Sequence, residues 1–274
     1  MKLRRWKVRK MSILSGGYGQ TWLFVHGIPG SGLRWEAVAR QVGDHYRVIV
    51  PDLLGFGESD DAGHDWYFEG QARALKALLD AQKVRQLYIA AHDFGVPVTL
   101  TFLRLFPDVP VKGLVLADAH VFSDTFDDAP LSLRIGHLLG KQPWFTWLLF
   151  GTLPGAWLIH RLYTYNKSTF PWSKLAAQLT PTGMHTAWRI ANRIGRSFKA
   201  DYEQIESVLP RVTCPVLILW GRSDPVAHPY TGERLRAVLR YARLKVYDNS
   251  GHFIPEEIPD FVARDILAYF DGAK

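Results

Sequence analysis

Three residues of this chain stand where a side chain could do covalent chemistry: Asp93 in "AAHDFG", Asp224 in "GRSDP" and His252 in "NSGHFIP". Asp93 follows an apolar run at 87–90 and precedes Phe94-Gly95. That arrangement has the form of the sharp strand-to-helix turn that presents a nucleophilic serine. A carboxylate in its place implies different chemistry. With an ordinary pKa of ~3.9, an aspartate is already an anion at neutral pH and needs no partner to deprotonate it. Asp224 and His252 complete the chain order nucleophile, acid, histidine. Each residue also has a structural reading. Asp93 could cap a helix, and His252 could be a surface histidine. Asp118, in "ADAH", competes with Asp224 as the acid; otherwise it pairs with His120 or lines a pocket.

Such residues need elements to hold them. Short apolar runs at 22–25, 48–50, 87–90, 114–116, 216–220 and 244–247 read as strands, and each candidate lies just beyond the end of one. In an open α/β sheet, ligand sites gather at the carboxyl ends of the strands. Residues 33–42 and 68–79 carry apolar positions at three- and four-residue spacing, residues 96–106 run helically up to Pro107, and 261–270 is expected to place Phe261, Ile266 and Phe270 on one side. Strand–helix alternation predicts a mostly parallel central sheet flanked by helices on both faces. The alternation breaks between about 121 and 209, a helical and loop-like stretch holding Trp144, Trp147, Trp157, Trp172 and Trp188. It reads as a helical cap inserted after the sixth strand, four of those six being runs named above, into a core formed by 1–120 and 210–274.

Composition narrows the class. With 274 residues, 47% hydrophobic and 22% charged, the chain can bury a sizeable core. Cys214 is its only cysteine, so no internal disulfide is possible and a cytoplasmic setting is expected. Six of the first ten residues are Lys or Arg. They read as a solvated edge strand, in which Arg4, Trp6 and Val8 alternate with their neighbours, and no nucleic-acid module accompanies them. Residues 142–160 carry no Lys, Arg, Asp or Glu. That length is near the lower limit of ~17–25 residues for a membrane span. Pro143, Gly151, Pro154 and Gly155 interrupt it, so it reads as the apolar lining of a lid, and membrane association is not expected. One cysteine and scattered histidines give no metal site, and no cofactor motif is present. The expected partner is a small apolar substrate; the oligomeric state is not legible.

The segments "HGIPG", "DLLGFGES", "HDFG", "WGRSD" and "SGHFIP" occur in that order at strand ends, and together they resemble the α/β-hydrolase fold over nearly the whole chain. Ala91 stands where that fold usually has glycine. Aspartate at the turn resembles the epoxide hydrolases and the haloalkane and haloacetate dehalogenases, which attack an sp3 carbon and form an alkyl-enzyme ester. The resemblance implies that Asp93 is the nucleophile. It also implies that His252 activates the water that hydrolyses the ester, and that Asp224 orients His252. The amides of Ile28 and Phe94 are then the oxyanion donors. His26 is expected to fix its loop by hydrogen bonds, and His92 to pack beside the turn.

The cap residues decide the substrate. Epoxide hydrolases use two cap tyrosines to pull on the epoxide oxygen; the candidates here are Tyr163, Tyr165 and Tyr202, with His185 as a further one. Haloalkane dehalogenases carry a Trp after the nucleophile to hold the halide, and haloacetate dehalogenases an arginine for the substrate carboxylate. This chain has Phe94 there. By elimination the resemblance implies hydrolysis of an apolar or aromatic epoxide. A dehalogenase, or a binding protein that kept the fold without turnover, are the alternatives.

Overall fold

The apolar runs form the centre of a sheet. In the computed structural model, which describes residues 1–61, 63–125, 138–168 and 172–271, the strands are β1 (Arg4–Val8), β2 (Met11–Gly16), β3 (Thr21–Val25), β4 (Arg47–Pro51), β5 (Leu87–His92), β6 (Val111–Ala117), β7 (Val216–Gly221) and β8 (Ala242–Tyr247). Their spatial order is β1-β2-β4-β3-β5-β6-β7-β8. From β4 to β8 every neighbouring pair is parallel, while β1 and β2 add antiparallel. The basic N-terminal segment is thus the edge strand β1, where Arg5 reaches the buried Asp52 at 2.6 Å. β2 has no counterpart among the expected runs. Its Ser12 and Ser15 are buried and break the apolar run that would have marked it.

Side chains alternate across the sheet with period two. Leu23, Val25, Ile89, Leu114, Leu116 and Ile218 pack into one core, and Trp22, Phe24, Ala90, Val115, Leu217 and Leu219 into the other. Helices α2 (Phe68–Ala81) and α3 (Gly95–Leu105) cover the first face, and α1 (Glu36–Val42) and α10 (Pro259–Asp271) the second. Trp22, at 0% exposure, stacks on Tyr88 and meets Phe270 edge-on; a buried apolar side chain of this kind contributes about 1.5–3 kcal/mol. One expectation fails in α10. Ile266 and Phe270 face the core, but Phe261 is 50% exposed, and Val262 and Ala263 are buried instead. Nine positions is two and a half turns at 3.6 residues per turn, so Phe261 and Phe270 lie on opposite sides.

Between β6 and β7 the described residues are helical: α4 (Pro143–Phe150), α5 (Leu153–Tyr163), α6 (Trp172–Ala176) and α7 (Pro181–Glu206). The expected cap boundaries at 121 and 209 both fall inside this connection. Pro143, Pro154 and Pro181 sit in the first turns of their helices, where a missing N–H costs nothing. Thr152 and Thr180 cap α5 and α7 by accepting from Gly155 and Gly183. α7 is kinked at Ser197, whose backbone leaves helical geometry at φ −120°. After β7 come α8 (Pro229–Val238) and the short α9 (Ile254–Glu257). Among the described residues no helix is long and apolar enough to cross a membrane.

Candidate active site

Asp93 occupies the turn between β5 and α3 with φ +50°. Few non-glycine residues adopt that left-handed conformation, and aspartate tolerates it better than most. The turn is fastened on both sides: the Asp93 amide donates to Ala117 O at 3.0 Å, and Val96 N donates to Asp93 O at 2.9 Å. The carboxylate therefore projects off the end of the sheet. Its Oδ2 accepts from the Ile28 amide at 2.8 Å, and the Phe94 amide also bonds the carboxylate. Gly27 lies against it so closely that a Cβ there would overlap Asp93 Oδ2. The "HGIPG" loop needs glycine at that point for proximity.

His252 follows β8 and is held from several directions. Its Nδ1 lies 2.9 Å from Asp224 Oδ2, and its Nε2 lies 3.8 Å from Asp93 Oδ1. Asp224 Oδ1 accepts from the amides of Val226 (2.7 Å) and Ala227 (3.0 Å). Asp224 therefore acts purely as an acceptor, and His252 carries its proton on Nδ1, leaving Nε2 free as a base facing Asp93. The structure brings the three side chains together. Asp93 is 17% exposed at its side chain and His252 3%, so the carboxylate is reachable while the imidazole is sequestered.

Asp118, the alternative acid, is turned elsewhere. Its Oδ1 accepts from Gly221 N at 2.8 Å, and its Oδ2 lies 4.0 Å from His92 Nε2. Burial, with the nearby Asp224 carboxylate, raises its pKa well above the ordinary aspartate value. The structure gives His252 Asp224 and not Asp118. His92 donates from Nε2 to His252 O at 2.7 Å. His26 accepts from Leu53 N at 2.9 Å on Nε2, which leaves Nδ1 to donate to Gly27 O at 2.8 Å. Burial lowers its pKa to about 4. His26 fixes its loop by these two hydrogen bonds, while His92, expected to pack beside the turn, also ties the turn to the His252 loop.

Burial also raises the Asp93 pKa, against the pull of His252 and the two amides. At His252 burial works against the cation, but the Asp224 and Asp93 carboxylates outweigh it and raise the pKa above 6.5.

A cavity of about 290 Å³ opens over Asp93, close to the lower end of the ~300–1,000 Å³ range of ligand sites. The core contributes Ile28, Phe94, His120 and His252 to its lining, and the β6–β7 helices contribute Phe145, Leu149, Phe150 and Ile159. Tyr163 and Tyr202 also line it. Among the described residues neither hydroxyl has a hydrogen-bond partner. Burial and the Asp93 carboxylate raise both phenol pKa values, so both are neutral donors at neutral pH. The other two candidates are not in the lining. Tyr165 is 50% exposed, with its hydroxyl on Asn249 Oδ1 at 3.1 Å. His185 is exposed on α7 beside Trp188. Each sits on the solvent side of its segment, a distinction that residue type alone does not reveal.

Two buried groups that the sequence reading did not single out brace the site. Glu257 accepts from the amides of Gly251 (3.1 Å) and Phe253 (3.3 Å) in the histidine loop, and from Tyr165 (2.9 Å) and Asn166 (3.3 Å) beyond α5. His252 N in turn donates to Tyr163 O at 2.9 Å. A Cβ at Gly251 would overlap that same carbonyl, so the two segments need glycine to meet. Arg34, 1% exposed, donates to Pro29 O at 2.7 Å, pairs with Glu256 at 3.1 Å and lies 4.4 Å over the Phe253 ring. The adjacent acids in "IPEEIPD" were the only hint of either brace. Among the described residues no cluster of His, Cys, Asp or Glu could hold a metal ion.

A family profile described as the alpha/beta hydrolase fold matches residues 22–259. The chain belongs to that hydrolase family. A relative in the family, the "Soluble epoxide hydrolase" of Corynebacterium sp. (strain C12), is 25% identical over 279 residues, covering 95% of this chain and 93% of its own. The solved structure of the epoxide hydrolase CorEH without ligand superposes with a TM-score of 0.82 at 22% identity and covers 100% of both chains. The haloalkane dehalogenase DbeA from Bradyrhizobium elkani USDA94 superposes at 0.85 with 18% identity, covering 99% of this chain and 98% of its own. At those identities the two structures establish the fold of this alpha/beta hydrolase, and its chemistry rests on the site.

Proposed function

We propose that this alpha/beta hydrolase opens apolar or aromatic epoxides to diols through an ester on Asp93. The observation that carries the reading is the pair Tyr163 and Tyr202, both lining the Asp93 cavity as neutral phenols without another partner among the described residues. An epoxide oxygen leaves as an alkoxide and needs a proton donor on the face opposite the attacking carboxylate.

Asp93 Oδ1, the oxygen not held by Ile28, attacks one ring carbon. The C–O bond to the epoxide oxygen breaks, and that oxygen takes a proton from a tyrosine. The product is a hydroxyalkyl ester. His252 Nε2 then removes a proton from water, whose oxygen adds to the Asp93 carbonyl carbon. Negative charge collects on Oδ2, where the Ile28 and Phe94 amides receive it. The intermediate collapses and the diol leaves with the proton held by His252; Asp93 gives up the remaining proton of the water as it returns to a carboxylate, and the tyrosine recovers one from solvent. The net reaction adds one water to the epoxide.

An apolar substrate suits a wall of Ile28, Phe94, Leu149, Phe150 and Ile159. A halide leaving group fits less well. Among the described residues the lining holds no indole N–H, and Phe94 offers no side-chain donor. The test is product analysis with styrene oxide beside halide release from 1-bromobutane and fluoroacetate. Diol formation lost in Asp93→Ala supports the reading. Halide release without diol supports a dehalogenase, and turnover of neither supports a binding protein.

A further inference from the structure

Helices α4 and α5 present two faces of different character. Inward, Phe145, Leu149, Phe150 and Ile159 line the cavity over Asp93. Outward, Trp144, Trp147, Leu153, Trp157, Leu158 and Leu162 are each between 41% and 62% exposed. Trp172 of α6 adds a further exposed indole at 47%. The uncharged stretch 142–160 is therefore a lid lining on one side only. An outer face this rich in Trp and Leu is unusual for a protein surrounded by water.

Charge tells what meets it. Residues 129–200 contain nine Lys or Arg and no Asp or Glu. Lys141, Arg161, Lys167 and Lys174 are exposed. Among the described residues of this stretch only Arg193 forms an ion pair, with Asp201 just beyond it. Between Trp157 and Trp172 lies a cleft of about 170 Å³ lined also by Arg161, Thr164 and Lys167. Thr164 is 4% exposed, and among the described residues its hydroxyl has no hydrogen-bond partner. Two aromatic walls, two cations and an unmet hydroxyl are the chemistry of a phosphate diester carried on an apolar tail.

We infer that the outer face of α4, α5 and α6 docks on a bilayer containing anionic phospholipid, with the Trp157–Trp172 cleft receiving a phosphate headgroup. The contact is interfacial: no described helix is long and apolar enough to cross a membrane, and indoles with flanking Lys and Arg settle at headgroup depth. A second copy of the chain is the poorer occupant, because two such faces would bring cations together with no carboxylate between them. Docking places α4 and α5 as the wall between bilayer and cavity, so an apolar substrate can enter from the lipid. The docking itself does not depend on which reaction Asp93 performs.

Flotation with phosphatidylcholine vesicles, with and without phosphatidylglycerol, tests this. The protein should float with the anionic vesicles, fall off as salt is added, and bind the zwitterionic ones at least about tenfold more weakly. R161E/K167E should lower anionic binding by about tenfold or more. W144S/W157S should lower it at low salt, and both variants should keep wild-type turnover of a water-soluble substrate. If W144S/W157S fails to fold by circular dichroism, the charge-reversal variant decides alone. The inference is overturned by no flotation with either vesicle, by equal binding to both, or by R161E/K167E binding like wild type. It is equally overturned by a solution dimer that W144S/W157S abolishes. A failed epoxide assay leaves flotation untouched, so the two readings fall separately.

Discussion

Replacing Asp224 with asparagine should separate the two halves of the proposed reaction. Asp224 Oδ1 accepts from the Val226 and Ala227 amides at 2.7 and 3.0 Å. An asparagine will keep its oxygen there and turn its NH2 toward His252 Nδ1. That nitrogen must then accept, which moves the imidazole proton to Nε2, the atom 3.8 Å from Asp93 Oδ1. A protonated Nε2 cannot activate water. The variant also loses a hydrogen bond to a charged group, about 1.5–3 kcal/mol. The same exchange of the orienting acid in a serine protease costs about 10⁴ in turnover. Attack by Asp93 needs neither the base nor its tautomer. Quenched-flow mixing with styrene oxide, followed by intact mass, should show ester formation within about threefold of wild type and ester hydrolysis slower by roughly 10²–10⁴. Equal loss of both steps, or unchanged hydrolysis, would refute the assignment of Asp224 and His252 to the second step.

Other outcomes follow from the same geometry. Tyr163→Phe and Tyr202→Phe should each slow ester formation by roughly 10–10³ while leaving its hydrolysis intact, read in the same mixing experiment. His252 works as a base only when neutral, and its pKa is raised above 6.5. The ester removes the Asp93 charge but keeps the Asp224 partner, so hydrolysis should fall as pH drops through the imidazole pKa of that state, and ester should accumulate at acid pH. Gly27→Ala would push a methyl into Asp93 Oδ2 and should abolish ester formation with the far-ultraviolet spectrum unchanged. Glu257→Gln, which weakens acceptance from four amides, should lower stability by about 1–3 kcal/mol in a urea titration and cut kcat more than KM.

The core and the three candidate side chains were legible for one reason. Each candidate sits within a few residues of the end of an apolar run, at the same edge of the sheet. Asp93, Asp224 and His252 could therefore be placed on one edge from strand ends alone. Strand β2 was hidden because Ser12 and Ser15 are polar yet buried, Ser12 Oγ accepting from Arg5 at 3.0 Å. The partners above Asp93 were not legible. Tyr163 and Tyr165 are two residues apart, yet one faces the cavity and the other Asn249. Tyr202 reaches the cavity from beyond the kink at Ser197. No local pattern specifies either orientation. Phe261 went astray for a simpler reason, since its spacing from Phe270 is half-integral in turns.

The most direct measurement of the central claim is a single turnover in heavy-oxygen water, with enzyme in excess over styrene oxide. Attack by Asp93 and hydrolysis at its carbonyl leave the first diol unlabelled and put the heavy oxygen into the Asp93 carboxylate, where peptide mass spectrometry will find it. Label in the diol with none on Asp93 would mean that water attacked the substrate directly, and that no ester ever formed.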